Sequence, residues 1–260
     1  YGRIIKKHLY LIIIMKKVKI LKSLINEITL DQFIDELLKS NKLKVAVCNA
    51  NSLVRSYKNI ELLEIMNDFD ISLPDGFPVA KASSLLYKNN QKRVDGYKIF
   101  NETIKRGLEQ NTSHYFFGNS EEVVDKLIKK FKHLYPNINI VGYSCPPMLD
   151  VDELMEDEYI NDLIEKNPDI VWFSFGFPKQ EMLIDKISSK NLTSANLVGV
   201  GFVFEWSAGT KYKAPEFIAN IGLEWVLRLL QEPRRLFKRY FIDNFLFIIY
   251  FIKQLTIEKR

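Results

Sequence analysis

Short apolar segments alternate with amphipathic ones from residue 43 to residue 200, and this alternation constrains the fold more than any other feature of the chain. The clearest apolar segment covers residues 169–175, and a helical pattern follows it over residues 179–190. Strands that are buried on both faces have nearly continuous apolar runs, and strands that alternate with helices are typical of parallel sheets. The sequence therefore predicts an α/β fold, with a mostly parallel sheet and helices on both faces.

The other predicted elements follow the same rhythm. Strands are predicted at residues 43–48, 71–73, 114–117, 138–143, 169–175 and 196–200. Helices are predicted at residues 60–67, 77–87, 97–109, 121–135, 151–166 and 179–190. An earlier helix is indicated by the capping-box spacing from Thr29 to Gln32. In such a sheet a ligand is expected beyond the carboxyl ends of the strands.

The length and composition suit one large domain, or one domain with an appendage. The chain has 260 residues, and 47% of them are hydrophobic, which is enough for a sizeable core. The strand–helix rhythm stops near residues 211–215, where a basic and apolar tail begins. We therefore expect a basic N-terminal segment at residues 1–22, a core at residues 23–215 and a C-terminal appendage at residues 216–260. Met15 is a candidate for the native start, which would place residues 1–14 upstream of it.

Both ends of the chain are basic, although the net charge of +5 is modest. Residues 1–22 contain seven Lys or Arg and no acid, and residues 228–239 contain five Lys or Arg and one Glu. This distribution indicates an anionic partner, either a phospholipid surface or a nucleic acid. The alternative is that the charges form two solvated faces without a partner.

Cysteine and histidine are too few for a zinc site or a disulfide framework. Cys48 and Cys145 are far apart in the sequence, and the chain has three His in all. A reducing, cytoplasmic compartment is therefore expected.

Two apolar runs near the ends are short for a membrane span. Residues 9–14 are too few to cross a bilayer, and no small-residue cleavage site follows them. The twelve residues 241–252 are also expected to be too few. They are expected to lie in the membrane interface or to pack against a second chain, as in a homo-oligomer.

Polar residues gather where the early strands end. Asn49 and Asn51 follow the first predicted strand and can hydrogen-bond sugar hydroxyls or an acetamido group, although such residues are more often turns or helix caps. Asp75 follows the second strand, where a fixed carboxylate can act as a general base, although Asp before Gly is most often a turn residue. Arg93 can bind a diphosphate if it lies in a cleft; otherwise it is a surface cation.

Two later strands also end in candidate ligands. Gln180 and Glu181 lie in the first turn of a predicted helix. Glu is favourable there for stability alone, so Gln180 is the better ligand candidate. Gly199 and Gly201, with Glu205 after them, either allow a nucleotide to approach the backbone closely or form a tight turn.

Several nucleotide and metal motifs are absent from the sequence or weak. Phe204 stands where a GxGxxG fingerprint needs a glycine, and the chain has no P-loop motif. Asp68-Phe69-Asp70 and Asp150-Val151-Asp152 have the DxD form that holds a metal beside a sugar nucleotide. Acids near helix starts are common for stability reasons alone, so no metal site is predicted.

Taken in order, these clusters resemble the WecG/TagA/CpsF family of bacterial glycosyltransferases, which is glycosyltransferase family 26. The matching motifs lie between residues 43 and 240, and the last one is long and specific. They are Asn49-Ala50-Asn51, LPDG at residues 73–76, RVxG at residues 93–96, GFPKQE at residues 176–181, GVG at residues 199–201 and LEWVLRLLQEPRRLFKRY at residues 223–240.

The resemblance implies an inverting, metal-independent transferase with a Rossmann-like core and no cofactor. Such enzymes move a hexose unit, of the N-acetylmannosamine type or related, from a UDP-sugar to a polyprenyl-diphosphate-linked saccharide. They work as peripheral proteins on the inner face of the cytoplasmic membrane, in cell-surface polysaccharide synthesis. The resemblance also suggests a homo-oligomer.

The resemblance also assigns roles to residues. Asp75 resembles the catalytic base. The residues that match substrate-binding positions are Asn49, Asn51, Arg93, Gln180, Gly199, Gly201 and Glu205. Four arginines resemble those of an appendage that contacts the membrane and completes the site around the diphosphate: Arg228, Arg234, Arg235 and Arg239.

Four positions depart from the family pattern and leave the donor sugar open. Asn49 stands in place of Thr, Lys98 and Glu205 in place of Asp, and Lys213 in place of Arg. The alternatives are a transferase that uses UDP-glucose or a UDP-uronic acid in exopolysaccharide assembly, an inactive transferase, and a non-catalytic module that binds membranes or nucleic acid. Nucleic acid is disfavoured because the polar residues lie at strand ends, and not on an aromatic, basic face that stacks bases.

Overall fold

A parallel sheet of six strands forms the centre of the molecule, in the order β4-β3-β8-β7-β5-β6. The structure, a computed structural model, describes residues 16–258, without the side chains of Asn220, Arg235, Lys238, Arg239 and Glu258. The strands are β3 Lys44–Cys48, β4 Ile71–Pro74, β5 Ser113–Gly118, β6 Asn139–Ser144, β7 Ile170–Ser174 and β8 Asn196–Gly199. The predicted α/β fold is confirmed. Predictions for residues 1–14 lie outside the described residues.

Helices cover both faces of the sheet. Those of the core are α1 Leu30–Lys39, α2 Ala50–Lys58, α3 Ile60–Asn67, α4 Phe77–Tyr87, α5 Gly96–Gly107, α6 Glu121–Leu134, α7 Asp157–Lys166, α8 Lys179–Ser189 and α9 Val203–Ala208. The appendage contains α10 Glu216–Asn220, α11 Glu224–Gln231, α12 Pro233–Lys238, a π-helical turn Arg239–Asp243 and α13 Asn244–Glu258.

Alternate side chains of each central strand enter two different cores, one on each face of the sheet. Phe117 and Phe173 pack in one core, and their neighbours Phe116 and Trp172 pack in the other. All four are fully buried. This double burial explains why these strands are apolar at nearly every position.

Some local elements differ from the prediction. β1 Lys17–Ile20 and β2 Ser23–Asn26 form an antiparallel hairpin on either side of residue 22, which sequence reasoning missed. The predicted helix at residues 151–166 divides into a short 3₁₀ turn, Glu153–Met155, and the helix α7. The Asp150 carboxylate accepts hydrogen bonds from the amides of Asp152 and Glu153, at 2.9 and 3.1 Å, and so stabilises the separate turn.

The C-terminal helix is longer than its apolar run suggested. Among residues 16–258, Tyr240–Ile257 is the one helical segment that is long and apolar enough to cross a membrane, by length and composition only. The expectation that this segment is too short was wrong, because the helix continues beyond residue 252. One side of it packs on the core: Tyr250 stacks on Tyr57 with ring centroids 4.5 Å apart, and Gln254 accepts a hydrogen bond from the Leu21 amide.

Candidate active site

Two adjoining cavities lie at the carboxyl ends of β3, β4, β7 and β8. The glycine-side cavity is lined by the segments that follow β7 and β8, which include Gly176 and Gly201. The appendage-side cavity lies between the start of α4 and the appendage. The residues that line both cavities are Asn49, Asp75, Trp206 and Arg228. The two cavities therefore form one cleft with a shared wall, at the edge of the sheet where a ligand is expected.

Asp75 stands at the junction of the two cavities. Its amide donates to the Cys48 carbonyl of the neighbouring strand at 2.8 Å, and Gly76 turns the chain sharply with a φ of +81°. These features fix the carboxylate directly after β4, and its side chain is 27% exposed. Burial raises the pKa of Asp75, and the nearby Arg93 acts in the opposite direction.

Arg93 belongs to a largely buried cluster of charges beside Asp75. Its Nη1 donates to Glu224 of α11 at 2.6 Å, and its Nη2 pairs with Asp95. Lys213 also pairs with Asp95, at 3.0 Å. The Arg93 Nε lies 4.0 Å from the Asp75 carboxylate, which is beyond hydrogen-bonding distance. The cluster joins the core to the appendage and borders the candidate base.

Both asparagines of the first cluster line the cleft. The Asn49 Oδ1 accepts from the Ser52 amide at 3.2 Å and caps α2, so this residue has the cap role that sequence statistics favour and a place in both cavities. Asn51 is 6% exposed, and its Nδ2 donates to Asp243 of the π-helical turn. Within the described part of the chain, the Asn51 Oδ1 has no hydrogen-bond partner. This oxygen is therefore a buried acceptor without a partner, in a residue that lines the appendage-side cavity.

Gln180 and Gly199 fit together in the wall of the glycine-side cavity. The Gln180 Oε1 accepts from the Gly176 amide at 3.2 Å, and its Nε2 donates to Glu181 at 2.9 Å. A Cβ atom on Gly199 would lie 2.8 Å from the Gln180 Nε2, so only glycine leaves room for this side chain. Glu181, which sequence reasoning assigned to helix stability, is buried in the same wall.

The glycine turn after β8 is closed by its own hydrogen bonds. The amides of Val200 and Gly201 donate to the Phe173 carbonyl at 3.0 and 3.1 Å, and Gly201 has a φ of +56°. These two amides are therefore engaged, and anion contacts in this cavity have to come from other groups. Glu205 lines the same cavity and its carbonyl accepts from the Thr210 amide at 3.0 Å.

Aromatic rings hold two cations, of which Arg228 lines the shared wall. The Arg228 guanidinium lies 4.2 Å from the ring centroid of Phe202 and 5.2 Å from that of Trp206. Lys213 lies 5.5 Å from the Trp206 centroid and 5.1 Å from that of Tyr97. Such contacts contribute about 0.5–1 kcal/mol each at exposed sites and about 2 kcal/mol or more where the cation is desolvated. Sequence reasoning missed Trp206, because an aromatic residue in a short helix is usually part of the core.

A comparison with known families decides the assignment. The model of the "Glycosyl transferase WecG/TagA/CpsF family" matches residues 18–260. The chain belongs to the WecG/TagA/CpsF family of glycosyltransferases. The predicted resemblance is confirmed, and the cleft at the strand ends is the candidate active site of a glycosyltransferase.

Three relatives of this glycosyltransferase carry the name N-acetylglucosaminyldiphosphoundecaprenol N-acetyl-beta-D-mannosaminyltransferase. The protein from Bacillus spizizenii is 31% identical over 171 residues, which cover 66% of this chain and 64% of that protein. The protein from Bacillus subtilis is 27% identical over 213 residues, or 79% and 80% of the two chains. The protein from Staphylococcus aureus is 28% identical over 214 residues, or 81% and 80%.

The structure describes the positions of only two of the four predicted tail arginines down to their side chains. Arg228 lines both cavities. Arg234 is exposed and lines neither. The side chains of Arg235 and Arg239 lie outside the described part of the chain, so their predicted roles stay predictions. Sequence reasoning did not single out four polar or aromatic cleft residues of the tail: Glu224, Trp225, Tyr240 and Asn244.

The acids of the two DxD triplets make structural pairings in this transferase. Asp68 pairs with the Lys44 ammonium, and Asp70 accepts from the Lys44 amide at 2.7 Å. Asp152 pairs with Lys186. Among residues 16–258, no group of three or more His, Cys, Asp or Glu side chains is arranged to hold a metal ion.

Proposed function

We propose that this glycosyltransferase moves a hexose unit of the N-acetylmannosamine type from a UDP-sugar to a polyprenyl-diphosphate-linked saccharide, with inversion and without a metal, in cell-surface polysaccharide synthesis. The position of Asp75 carries the proposal, because its carboxylate lines both cavities and so reaches a ligand in either. The names of three relatives, which describe N-acetylmannosaminyl transfer to a lipid-linked N-acetylglucosaminyl diphosphate, support the donor and acceptor classes.

The lining of the two cavities supports an assignment of the two substrates. The donor nucleotide belongs in the glycine-side cavity, where small residues leave space beside aromatic Phe202. The acceptor sugar belongs in the appendage-side cavity, where Asn51, Tyr240 and Asn244 offer groups that bond sugar hydroxyls. In this arrangement Asp75 lies at the junction of the two cavities, beside the acceptor hydroxyl.

The proposed mechanism is a direct displacement. Asp75 takes the proton of the acceptor hydroxyl, and the hydroxyl oxygen attacks the anomeric carbon from the face opposite UDP. The bond between the anomeric carbon and the UDP oxygen breaks as the new glycosidic bond forms, and the diphosphate leaves with its bonding electrons. The raised pKa of Asp75 makes its carboxylate a stronger base than an ordinary aspartate.

Cations of the chain take the place of a metal in this proposal. Arg228 lines both cavities at the shared wall, and in the proposal its guanidinium faces the leaving diphosphate. A cation that is already held in place stabilises charge as it develops, without further reorganisation. The guanidinium lies over the rings of Phe202 and Trp206. In the proposal its N–H groups bond the phosphate oxygens.

The purified chain, incubated with a panel of UDP-sugars and a polyprenyl-diphosphate-linked N-acetylglucosamine, tests the function directly. We expect a product heavier by one N-acetylhexosamine residue when UDP-N-acetylmannosamine is the donor, read by mass spectrometry. A product with UDP-glucose or a UDP-uronic acid alone would support the alternative donors. The absence of product with every donor would refute the proposal.

The proposal also places the protein on the inner face of the cytoplasmic membrane. The outer side of the C-terminal helix is apolar and exposed at Phe241, Phe245, Ile248, Ile249, Ile252 and Ile257. The opposite side is held to the core by Phe247, Tyr250 and Gln254. A helix that is fixed to a domain along one side and apolar along the other suits the plane of the membrane interface better than a span.

A triple change of Phe245, Ile248 and Ile252 to Ser is expected to weaken binding to vesicles that contain anionic lipid. Burying an apolar side chain contributes about 1.5–3 kcal/mol, so we expect at least about a tenfold loss of partitioning for the three together. Vesicle flotation measures this partitioning.

The matched control changes Ile60, Leu85 and Leu134, which are exposed on the core, to Ser. Equal flotation of both variants would contradict the membrane proposal. A fall in mass by light scattering without vesicles would show that the face joins copies of the chain.

A further inference from the structure

We propose that Glu224 is a positioning residue, whose carboxylate holds the Arg93 guanidinium away from Asp75 and so leaves Asp75 free to accept a proton. This inference rests on the proposed function, in which Asp75 is the general base. Glu224 is the first residue of α11, and its side chain is 17% exposed. It therefore reaches the catalytic core from the appendage.

The geometry around Arg93 shows what Glu224 does. An arginine presents N–H groups on Nε and on both Nη atoms. Glu224 and Asp95 occupy the two Nη atoms, and the Nε lies 4.0 Å from the Asp75 carboxylate. Arg93 is thus held near Asp75 without a hydrogen bond to it.

Without the Glu224 carboxylate, Arg93 would have an empty Nη1 near the half-buried carboxylate of Asp75. Arginine and carboxylate groups form paired, charge-assisted hydrogen bonds when their geometry allows. The nearest candidate partner is Asp75, so the guanidinium is expected to turn toward it. A carboxylate in such a pair is a weaker base and less able to take the acceptor proton.

The charge balance points in the same direction. The buried cluster contains three carboxylates, Asp75, Asp95 and Glu224, against two cations, Arg93 and Lys213. Removal of one carboxylate changes the net charge of this group from −1 to 0 and favours the ionised form of those that remain. Burial and Glu224 both raise the pKa of Asp75, whereas Arg93, Lys213 and a hydrogen bond from Gly76 lower it.

Charged groups on the other side of Asp75 complete its surroundings. The glycine-side cavity brings Glu181 of α8, Glu205 of α9 and Arg228 of α11 to the same space. These three are unchanged when Glu224 is replaced, so the effect of that replacement runs through Arg93 and the loss of one charge. Because Glu224 comes from the appendage, Asp75 has its full basicity only when the appendage is docked on the core.

The test compares Glu224→Gln, which keeps the shape of the side chain, with Glu224→Asp, which keeps the charge. We expect Glu224→Gln to lower kcat by at least about tenfold, to leave the donor KM within about twofold, and to move the acidic limb of the pH profile to lower pH. Glu224→Asp is expected to restore part of the loss. The control is Glu216→Gln, another appendage carboxylate, which pairs with Lys98 outside the two cavities.

A second readout needs no turnover. The ¹³C resonance of the Asp75 carboxyl, assigned by its loss in Asp75→Asn, reports the pKa of Asp75 during a pH titration of the full chain. We expect a lower pKa in Glu224→Gln than in the unchanged protein or in Glu216→Gln. The same pKa in all three would overturn the inference, even if Glu224→Gln were less active. If the unchanged protein transfers no sugar, the proposed function fails, and this titration still decides whether Glu224 controls Asp75.

Discussion

Replacing Arg228 with Ala is expected to reduce kcat/KM for sugar transfer by about 10²–10³-fold, which is the usual cost of removing a group that stabilises developing charge. Arg228 is the cation that lines both cavities, and its guanidinium lies over the rings of Phe202 and Trp206. In the proposed mechanism, negative charge grows on the diphosphate at this wall. No metal shares that charge in the proposal, so the effect of losing the arginine is large.

Two further variants make the Arg228 prediction specific. Arg228→Lys is expected to recover only a small part of the rate, because an ammonium lacks the planar group that stacks on rings and pairs with two phosphate oxygens. Arg234→Ala is the matched control, since this arginine belongs to the same basic tail but is exposed and outside both cavities. Steady-state kinetics with both substrates varied measures all three. Equal losses for Arg228→Ala and Arg234→Ala would show that total tail charge matters, and not a placed cation.

The fold was largely predictable because its main signals are local. Double-sided burial makes β7 apolar throughout, and the capping box at Thr29 marks the start of α1. The exact bounds of α3 and α4 followed from the same kind of pattern. What was missed was either very short, as in the hairpin β1–β2, or hidden by polar residues at its start, as in α2 after Asn49.

The core half of the cleft was also predictable, for a reason of topology. Parallel strands bring their carboxyl ends to one edge, so residues far apart in sequence were expected to meet. Asn49, Asp75, Gln180 and Gly199 do line one cleft. Sequence alone did not reveal that Gly199 leaves room for Gln180, because this contact joins the end of β8 to the first turn of α8.

The appendage half of the cleft depends on long-range packing that no local pattern reports. Glu224 and Trp225 reach the site only because α11 docks across the strand ends. Lys98, one of the four departures from the family pattern, pairs with Glu216 and lines neither cavity. Arg93 has a carboxylate partner on each Nη atom.

Asp75→Asn is expected to slow sugar transfer by about 10²–10⁴-fold, which is the range of general-base catalysis. Asn has nearly the shape of Asp, so the cleft keeps its form but loses the group that accepts the proton. Binding of UDP is expected to stay within about threefold, because Asp75 contacts the acceptor hydroxyl and not the nucleotide in the proposed mechanism. Asp152→Asn, at an exposed ion pair with Lys186, is the control and is expected to keep full activity.

Single-turnover transfer from UDP-N-acetylmannosamine, measured with Asp75→Asn and the unchanged protein, decides whether Asp75 is the base, because it separates the chemical step from product release. We expect a rate lower by at least about a hundredfold in Asp75→Asn, with UDP affinity by calorimetry nearly unchanged. A rate within about threefold of the unchanged protein would contradict the assignment of Asp75 as the base. That result would leave the family membership intact and require another group in the cleft to take the proton.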